Sequence, residues 1–416
     1  MRSINNLDYI EKRRGRLKAV ILAAGEGRRM HPLTYTRPKV ILPIANKPIL
    51  EHLLIETKKA GITEFILVVG YHDEQVRDYF GNGEKWGVSI DYCTQRRQVG
   101  TADALSMVKS LIKGNFLMIN GDIIVNHKDI NRLTGKRNTT LSVVKVKDIQ
   151  DLGVVELSGD KVVHIYEKID KPTSFMANAG LYLFTPDIFD AVSQTPESPR
   201  GEYEITDSLQ LMMDKGLHIS YQEISYWLNL GYPWELLSAN ESLLADIEPQ
   251  NQGEVEDNVV IKGTVSIGKD TIIRSGSYIV GPVIIGQDCD IGPNCYIRPA
   301  TAIGDNCHIG NAVEVKNSIV MKGSKIPHHN YVGDSVIGEE CNFGAGTKIA
   351  NLRLDKKDIW VADINTRRRK LGAIIGDRVE TGINACINVG CTIGNDTHIG
   401  PGATARGVIL PGSKIF

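Results

Sequence analysis

Between Leu22 and Lys39 the chain reads LAAGEGRRMHPLTYTRPK. Gly25 and Gly27 let backbone N–H groups approach a phosphate, because no Cβ blocks the way. Arg28, Arg29 and Lys39 add fixed positive charge to the same stretch. The apolar run Ala19–Leu22 leads in and reads as a buried parallel strand. Such a combination suits a triphosphate. It is not a dinucleotide fingerprint, since Met30 stands where GxGxxG needs its third glycine, and no Gly-Lys-Ser/Thr follows to make a P-loop. An ordinary strand-to-helix turn competes as a reading of the glycine pair alone; the closely spaced cations count against it.

The pattern LAAGxGxRM…T…PK resembles the signature of sugar-1-phosphate nucleotidylyltransferases, and the resemblance continues through most of the chain. It implies that Leu22, Ala23, Gly25 and Gly27 border the nucleotide, that Gln95 reads a pyrimidine edge, and that Gly100 and Thr101 pack under the base. Asn120-Gly121-Asp122 follows the apolar run FLMI. A carboxylate at the end of a strand beside a triphosphate suits Mg2+, the alternative being an aspartate in a turn; the family places its metal-binding aspartate here. Gly153, Glu167 and Asn178 match the sugar side, with Lys168 beside Glu167, although a Glu-Lys pair taken alone reads as a solvated face. Asn229, in YWLNLGYPWELL, falls where relatives carry Asp or Asn as a second metal ligand. The amide removes one negative charge from that site, as in the bacterial uridylyltransferases. The implied chemistry is attack of a sugar 1-phosphate oxygen on the α-phosphorus of UTP or dTTP, with loss of pyrophosphate. Arg29 and Lys39 are the residues expected to stabilise that transfer; Arg28 and Arg29 are not separable by sequence.

The elements that must hold these residues alternate. Strands are expected at Ala19–Leu22, Glu64–Gly70, Ser89–Tyr92, Asn115–Ile119, Leu141–Val146 and Ala179–Leu183, and helices at Pro48–Ala60, Glu74–Phe80, Ala102–Ser110 and Thr206–Lys215. That alternation predicts a doubly wound, Rossmann-like α/β domain over 17–247 with a mostly parallel sheet. Its ligands belong at the carboxyl ends of the strands.

Composition excludes some roles. The 416 residues allow two or three domains, and a formal net charge of −1 gives no field for nucleic acid or membrane. No apolar run approaches the ~20 residues of a spanning helix. Residues 1–16 are polar and basic, and read as a frayed extension rather than a signal peptide. Seven cysteines without a CxxC pair point away from zinc and toward a reducing cytoplasm.

After a helix-like stretch, Glu235–Asp246, and a polar linker, 248–253, a period of six begins. Aliphatic residues stand at Val255, Ile261, Ile267 and so on to Ile309 and Val315, with Met321 ending the run. This period predicts a parallel β-helix over 254–416. Cys289, Cys295, Cys307, Cys341 and Cys391 each lie two residues before a repeat position and read as core fillers. The phase breaks at Lys322–Ser335 and at Ala350–Ala373, which are expected to be loops thrown out of the solenoid.

This half resembles the acetyltransferase domain of the bifunctional N-acetylglucosamine-1-phosphate uridylyltransferase/glucosamine-1-phosphate acetyltransferase family, in its archaeal form. The stretches IRPATAIGDNCHIGNAVEVK, SKIPHHNYVGDSVIGEECNFGAGT and ANLR carry the resemblance. It implies a left-handed β-helix, acetyl-CoA as co-substrate and a homotrimer with acyl sites between neighbouring prisms. It further implies that Arg298, Lys316, Tyr331, Asn342, Asn351 and Lys357 bind substrate, and that His328 is the base. The same alignment assigns no catalytic role to His329. Leu352 departs from the tyrosine of bacterial relatives, and the chain lacks their basic tail. The expected function is acetyl transfer to glucosamine 1-phosphate, or its galactosamine epimer, followed by Mg2+-dependent uridylyl or thymidylyl transfer. The alternative is a glucose-1-phosphate nucleotidylyltransferase whose β-helix is structural or regulatory.

Overall fold

The computed structural model describes residues 17–149, 151–167 and 174–416. The N-terminal extension and Lys168 lie outside the described residues. The chain packs as two compact units. The first comprises the chain up to Glu26, Arg37–Ile41 and Ile49–Asn229; the second comprises Gly27–Thr36, Leu42–Pro48 and Leu230–Phe416.

The strands of the first unit, in chain order, are β1 (Lys18–Ala23), β2 (Glu64–Val69), β3 (Ser89–Thr94), β4 (Phe116–Asn120), β5 (Ile123–Val125), β6 (Thr140–Lys145), β7 (Val154–Ser158), β8 (Lys161–Tyr166), β9 (Met176–Phe184), β10 (Ser220–Glu223) and β11 (Trp227–Asn229). Nine of them form one sheet in the order β3-β2-β1-β4-β9-β6-β10-β8-β7, while β5 and β11 form a separate antiparallel pair. Strand β1 sits between β2 and β4 and is parallel to both. Helices cover both faces, so successive side chains alternate between two cores. Ile21, Leu67 and Ile119 face one; Val20, Ile66 and Met118 face the other. Burial on both sides is why these strands read as unbroken apolar runs.

Past β4 the expectation of a mostly parallel sheet fails. Strand β9 is antiparallel to both β4 and β6, and β7 and β8 form an antiparallel hairpin. The hairpin turns at Gly159, with φ of 61°, so no crossover helix is needed there. Helices occur at Ile49–Lys59, Asp73–Phe80, Thr101–Ser106 and Ile205–Asp214, close to where they were expected. His127–Thr134 was not anticipated; Asn126 starts it by accepting a 2.8 Å bond from Asp129 N.

The second unit is a β-helix of three stacked parallel sheets. The faces are called first, second and third in the order the chain meets them. In-register ladders run Ile267–Ile285–Ile303 on the first, Ile273–Ile291–Ile309 on the second and Ile279–Ile297–Val315 on the third. These side chains fill one apolar core together with the five cysteines that were expected there. Burial pushes the Cys295, Cys341 and Cys391 thiols up to about 12, so they pack as small hydrophobes. Gln250–Asn251 pairs with Ser266–Ile267, so the stretch read as a linker contains a strand of the first face.

Two sequence expectations about the coil are corrected. The slip comes before Met321: Val320, not Met321, pairs with Ile303. The segment 322–335 is not an expelled loop either. It carries Lys325–Ile326 and Tyr331–Gly333, which pair in register with the coil before, and Ile326 and Val332 are fully buried in the core. What interrupts the period is loss of one residue at each of two corners, between Val315 and Val320 and between Val332 and Ile337. The second interruption is a true excursion, with an antiparallel pair of strands, Trp360–Val361 and Ile364–Asn365.

Candidate active sites

The first unit collects its candidates at strand ends. Leu22 and Ala23 close β1, and Leu22 O accepts a 2.9 Å bond from Gly121 N. A Cβ on Gly121 would lie 2.5 Å from that same oxygen, so glycine is required between Asn120 and Asp122. Asp122 is thereby held beside Lys39, whose Nζ lies 2.9 Å from Asp122 Oδ2. The lysine is buried while the carboxylate remains partly exposed. Asn229 pairs across β5–β11 with Ile123, the residue after Asp122. Asp122, in the turn just before β5, and Asn229, at the end of β11, therefore come at the same end of this strand pair. Both offer hard oxygen atoms, and Mg2+ commonly takes one or two protein ligands and fills its shell with water and phosphate. The pair therefore fits that ion. Among the described residues, no group of three or more His, Cys, Asp or Glu side chains is placed to hold a metal.

Gly25 and Gly27 are glycines for different reasons. A Cβ built on Gly25 meets nothing within 4 Å, so no protein atom demands the residue. Gly27 has φ of 71° and precedes a 3-10 turn, Arg28–Met30, which a side chain would disfavour. In the second unit, the Arg29 guanidinium lies 5.2 Å over the Tyr232 ring, which stacks on Trp234 at 4.8 Å.

Gln95 is buried, and its Nε2 donates to Asp103 Oδ2 at 2.7 Å and to Gly100 O at 3.2 Å. A Cβ on Gly100 would lie 2.3 Å from Tyr203 O, and Thr101 Oγ1 accepts a bond from Ile205 N. Both residues therefore lock the start of the Ile205–Asp214 helix. On the sugar side, Asn178 N donates to Gly153 O at 2.9 Å, and the Asn178 amide bridges Tyr182 Oη and Gly180 N at an irregularity in β9. Glu167 accepts from Thr206 Oγ1 at 2.6 Å and from Arg200 at 3.2 Å.

In the second unit Arg298 and Asn351 follow strands of the third face and Lys316 ends one, on separate coils, and so they line the corner where the chain leaves that face. Arg298 pairs with Glu314 at 2.9 Å. Lys316 Nζ lies 3.1 Å from Asp334 Oδ2. Asn351 Nδ2 lies 2.5 Å from the same oxygen and 3.1 Å from Tyr331 Oη. His328 is exposed at the opposite corner of the face, and Asn342 is on the second face, paired with Lys325 and Glu380. Lys357 is exposed on the excursion. His329 occupies the corner position with φ of 51°, where other coils carry Asn294, Gly346 or Asn384.

The nucleotidyl transferase family model matches residues 18–246, and the GMPPB C-terminal domain model matches 279–393. Over 391 residues the chain is 41% identical to the bifunctional protein GlmU of Methanococcus maripaludis, covering 92% of this chain and 93% of that one. It is 44% identical over 400 residues to a bifunctional sugar-1-phosphate nucleotidylyltransferase/acetyltransferase of Sulfurisphaera tokodaii, covering 94% and 97%. The chain belongs to the GlmU family. It is accordingly a bifunctional sugar-1-phosphate nucleotidylyltransferase and acetyltransferase. The solved structure of UDP-glucose pyrophosphorylase complexed with UDP-glucose, 24% identical with a TM-score of 0.51, covers 56% of this chain and 99% of that one, and shares the fold of the first part.

Several residues of this GlmU-family chain escaped the sequence reading. Asp334 joins Lys316 to Asn351, and its signal was the short corner just after Tyr331. Glu204, almost fully buried, contacts Arg200, and burial together with the nearby Glu167 charge raises its carboxyl to about 7. Arg368 leaves the basic run to donate to Ser238 Oγ at 2.7 Å, and no spacing marks it out from Arg367 or Arg369. Among the described residues no helix is long and apolar enough to cross a membrane.

Proposed function

We propose that the enzyme acetylates glucosamine 1-phosphate, or its galactosamine epimer, with acetyl-CoA, and then transfers a uridylyl or thymidylyl group to the product. The corner built from Lys316, Tyr331, Asp334 and Asn351 carries this reading over the alternative of a purely structural β-helix. These residues come from three coils and converge through side-chain bonds that the solenoid itself does not need. Nucleotidyl transfer is assigned to residues 17–247, acetyl transfer to 254–416, and both to the cytoplasm, where seven free thiols are at home.

In acetyl transfer, His328 takes a proton from the sugar ammonium. The freed amine attacks the thioester carbonyl, an amide C–N bond forms, and the C–S bond breaks. The coenzyme leaves as a thiol, taking the proton held by His328, and the second proton that the nitrogen sheds on becoming an amide passes to solvent. Arg298, Lys316 and Lys357 supply cations for the sugar phosphate, and Asn342 and Asn351 orient the sugar. His328 and Asn342 lie apart from the Arg298–Lys316 corner, which favours a site completed by a second copy. A homotrimer is therefore expected, and an active monomer in light scattering would contradict it.

In nucleotidyl transfer a sugar-phosphate oxygen attacks the α-phosphorus and pyrophosphate departs. Lys39 exchanges Asp122 for phosphate oxygens when the triphosphate binds, and Arg29 adds a second cation. Gln95 and the 22–27 turn hold the nucleotide, and Glu167 and Asn178 accept and donate to sugar hydroxyls. Asp122 and Asn229 would hold Mg2+, which neutralises phosphate charge when bound. Purified protein given glucosamine 1-phosphate, acetyl-CoA, UTP and Mg2+ should release both thiol and pyrophosphate. Release of pyrophosphate from glucose 1-phosphate with no thiol release under any condition would favour the alternative.

A further inference from the structure

We infer that Asp334 is a positioning residue of the acetyl-transfer site, setting the direction of a hydrogen-bond chain that ends at the Tyr331 hydroxyl; the inference rests on the acetyltransferase reading above. Asp334 is 3% exposed and has φ of 51°. It sits at the second of the two shortened corners, and Asn317, with φ of 43°, sits at the first. The two left-handed residues stack, and Asn317 Nδ2 donates to Asp334 Oδ1 at 2.7 Å. Losing one residue per corner is what brings this carboxylate inward, under Lys316 and Asn351.

An ionised carboxylate only accepts. The Asn351 atom 2.5 Å from Asp334 Oδ2 must therefore be the amide nitrogen, and its orientation is fixed. That nitrogen has two protons. One goes to Asp334 and the other to Tyr331 Oη, 3.1 Å away. Tyr331 thus accepts from Asn351 and keeps its own O–H proton to donate elsewhere. Asn351 retains only its carbonyl oxygen, an acceptor. Lys316 spends one of three ammonium protons on Asp334 and keeps two. The corner consequently presents cationic and phenolic donors beside a single amide acceptor. Donors suit a phosphate monoester; the acceptor suits a hydroxyl or an ammonium group. An amino-sugar phosphate carries both.

Replacing the carboxylate with an amide removes this constraint, because Asn351 can turn over and make Tyr331 donate inward. The backbone bonds of the residue, Asp334 N to Lys316 O and Gly372 N to Asp334 O, do not depend on the side chain, and asparagine tolerates the left-handed conformation. Asp334→Asn is expected to raise KM for glucosamine 1-phosphate ~10- to 100-fold while kcat changes less than about fivefold and uridylyl transfer is unaffected. Tyr331→Phe should cost about tenfold in the wild type but under about threefold in the Asp334→Asn background, since the donated proton is no longer directed outward. Equal costs in both backgrounds, or an unchanged KM in Asp334→Asn, overturn the inference. Lys316→Ala separates the two levels. If it leaves KM unchanged, the acetyltransferase reading of the corner fails and the inference with it. If Lys316→Ala and Tyr331→Phe raise KM but Asp334→Asn does not, only the inference fails. Should Asp334→Asn not fold, Asn317→Ala withdraws one donor from the carboxylate and should raise KM about 2- to 5-fold; no change there also overturns the inference.

Discussion

The strand ends of the first unit and the Lys316 corner of the second both hold a lysine–aspartate pair, but by opposite routes. In the sheet, candidates fall where strands end: Asp122 after β4, Leu22 near the end of β1, Gln95 just after β3. In the β-helix every strand ends alike, and a coil corner is by default only a turn. The Lys316–Asp334–Asn351 cluster coincides with departures from the period, at two shortened corners and the start of the excursion, while Arg298, His328 and Asn342 sit on regular coils. A doubly wound sheet thus points to its candidates by topology, whereas in a solenoid a defect in the repeat points only to the candidates beside it.

The sharpest way to break that comparison is to remove one candidate from each region. His328→Ala should lose roughly 10²–10⁴ in acetyl transfer with uridylyl transfer near wild type. His329→Ala should keep most of both, because His329 holds a corner conformation that Asn294, Asn384, Gly346 and Ala312 fill on other coils. Thiol and pyrophosphate release, followed separately, decide between them; a reversed result would move the base to His329. Lys39→Ala should lose on the order of 10²–10³ in pyrophosphate release while thiol release persists. Near-normal uridylyl transfer by that variant would remove Lys39 from the chemistry and leave its Asp122 contact as structural.

Glycines sharpen the contrast at the level of stability. A Cβ on Gly310 would sit 1.7 Å from Pro327 O, and one on Gly100 would sit 2.3 Å from Tyr203 O. Backbone cannot yield as a side chain can, so each alanine should cost about 3 kcal/mol, the upper end for overpacking. Gly310→Ala should lower thermal stability and spare nucleotide chemistry in the surviving folded protein. Gly100→Ala should also weaken nucleotide binding, because Gln95 donates to Gly100 O. Denaturation by calorimetry and KM for UTP check the two; a Gly100→Ala enzyme with normal KM would make the glycine purely architectural.

Legibility in the sequence followed the same division. The strands β1, β2 and β4 were readable because burial on both faces leaves continuous apolar runs. The β7–β8 hairpin was missed because its strands are half-exposed and so break the apolar run, and the expectation of crossovers hid it. In the β-helix the period was legible up to Val315, again at Ile337, Phe343 and Ile349, and from Ile375 onward, yet Ile326 and Val332 between them were lost to a supposed loop. One missing residue shifts the count that follows it, so a fixed count of six fails between the two shortened corners although the coil continues. Asp334 and Glu204 stayed invisible for a further reason. The short corner that marks Asp334 shows only as a lost residue in the period, and the environment of Glu204 depends on Glu167, distant in the chain, as well as on Arg200 four residues away.

Glu204 supports the smallest prediction. It lies beside Glu167 and Arg200 in the first unit, and Asp207 in the same cluster also has its carboxyl raised by burial and by Glu167. Two carboxylates share one guanidinium, so one of them is easier to protonate. Burial selects Glu204, whose carboxyl is raised to about 7, with Glu202 adding to the effect. The folded protein therefore binds a proton at Glu204 more tightly than the unfolded chain does. By linkage, this contribution to stability is complete below the ordinary glutamate range and is lost as pH rises toward 7. Glu204→Gln, which mimics the protonated form, should leave the melting temperature little changed near pH 5 and raise it by a few degrees near pH 8 relative to wild type. Glu167 also accepts from Arg200, so the same variant should flatten the pH dependence of KM for the sugar phosphate between pH 6 and 8. A wild-type KM profile that is flat over that range would confine Glu204 to a structural role.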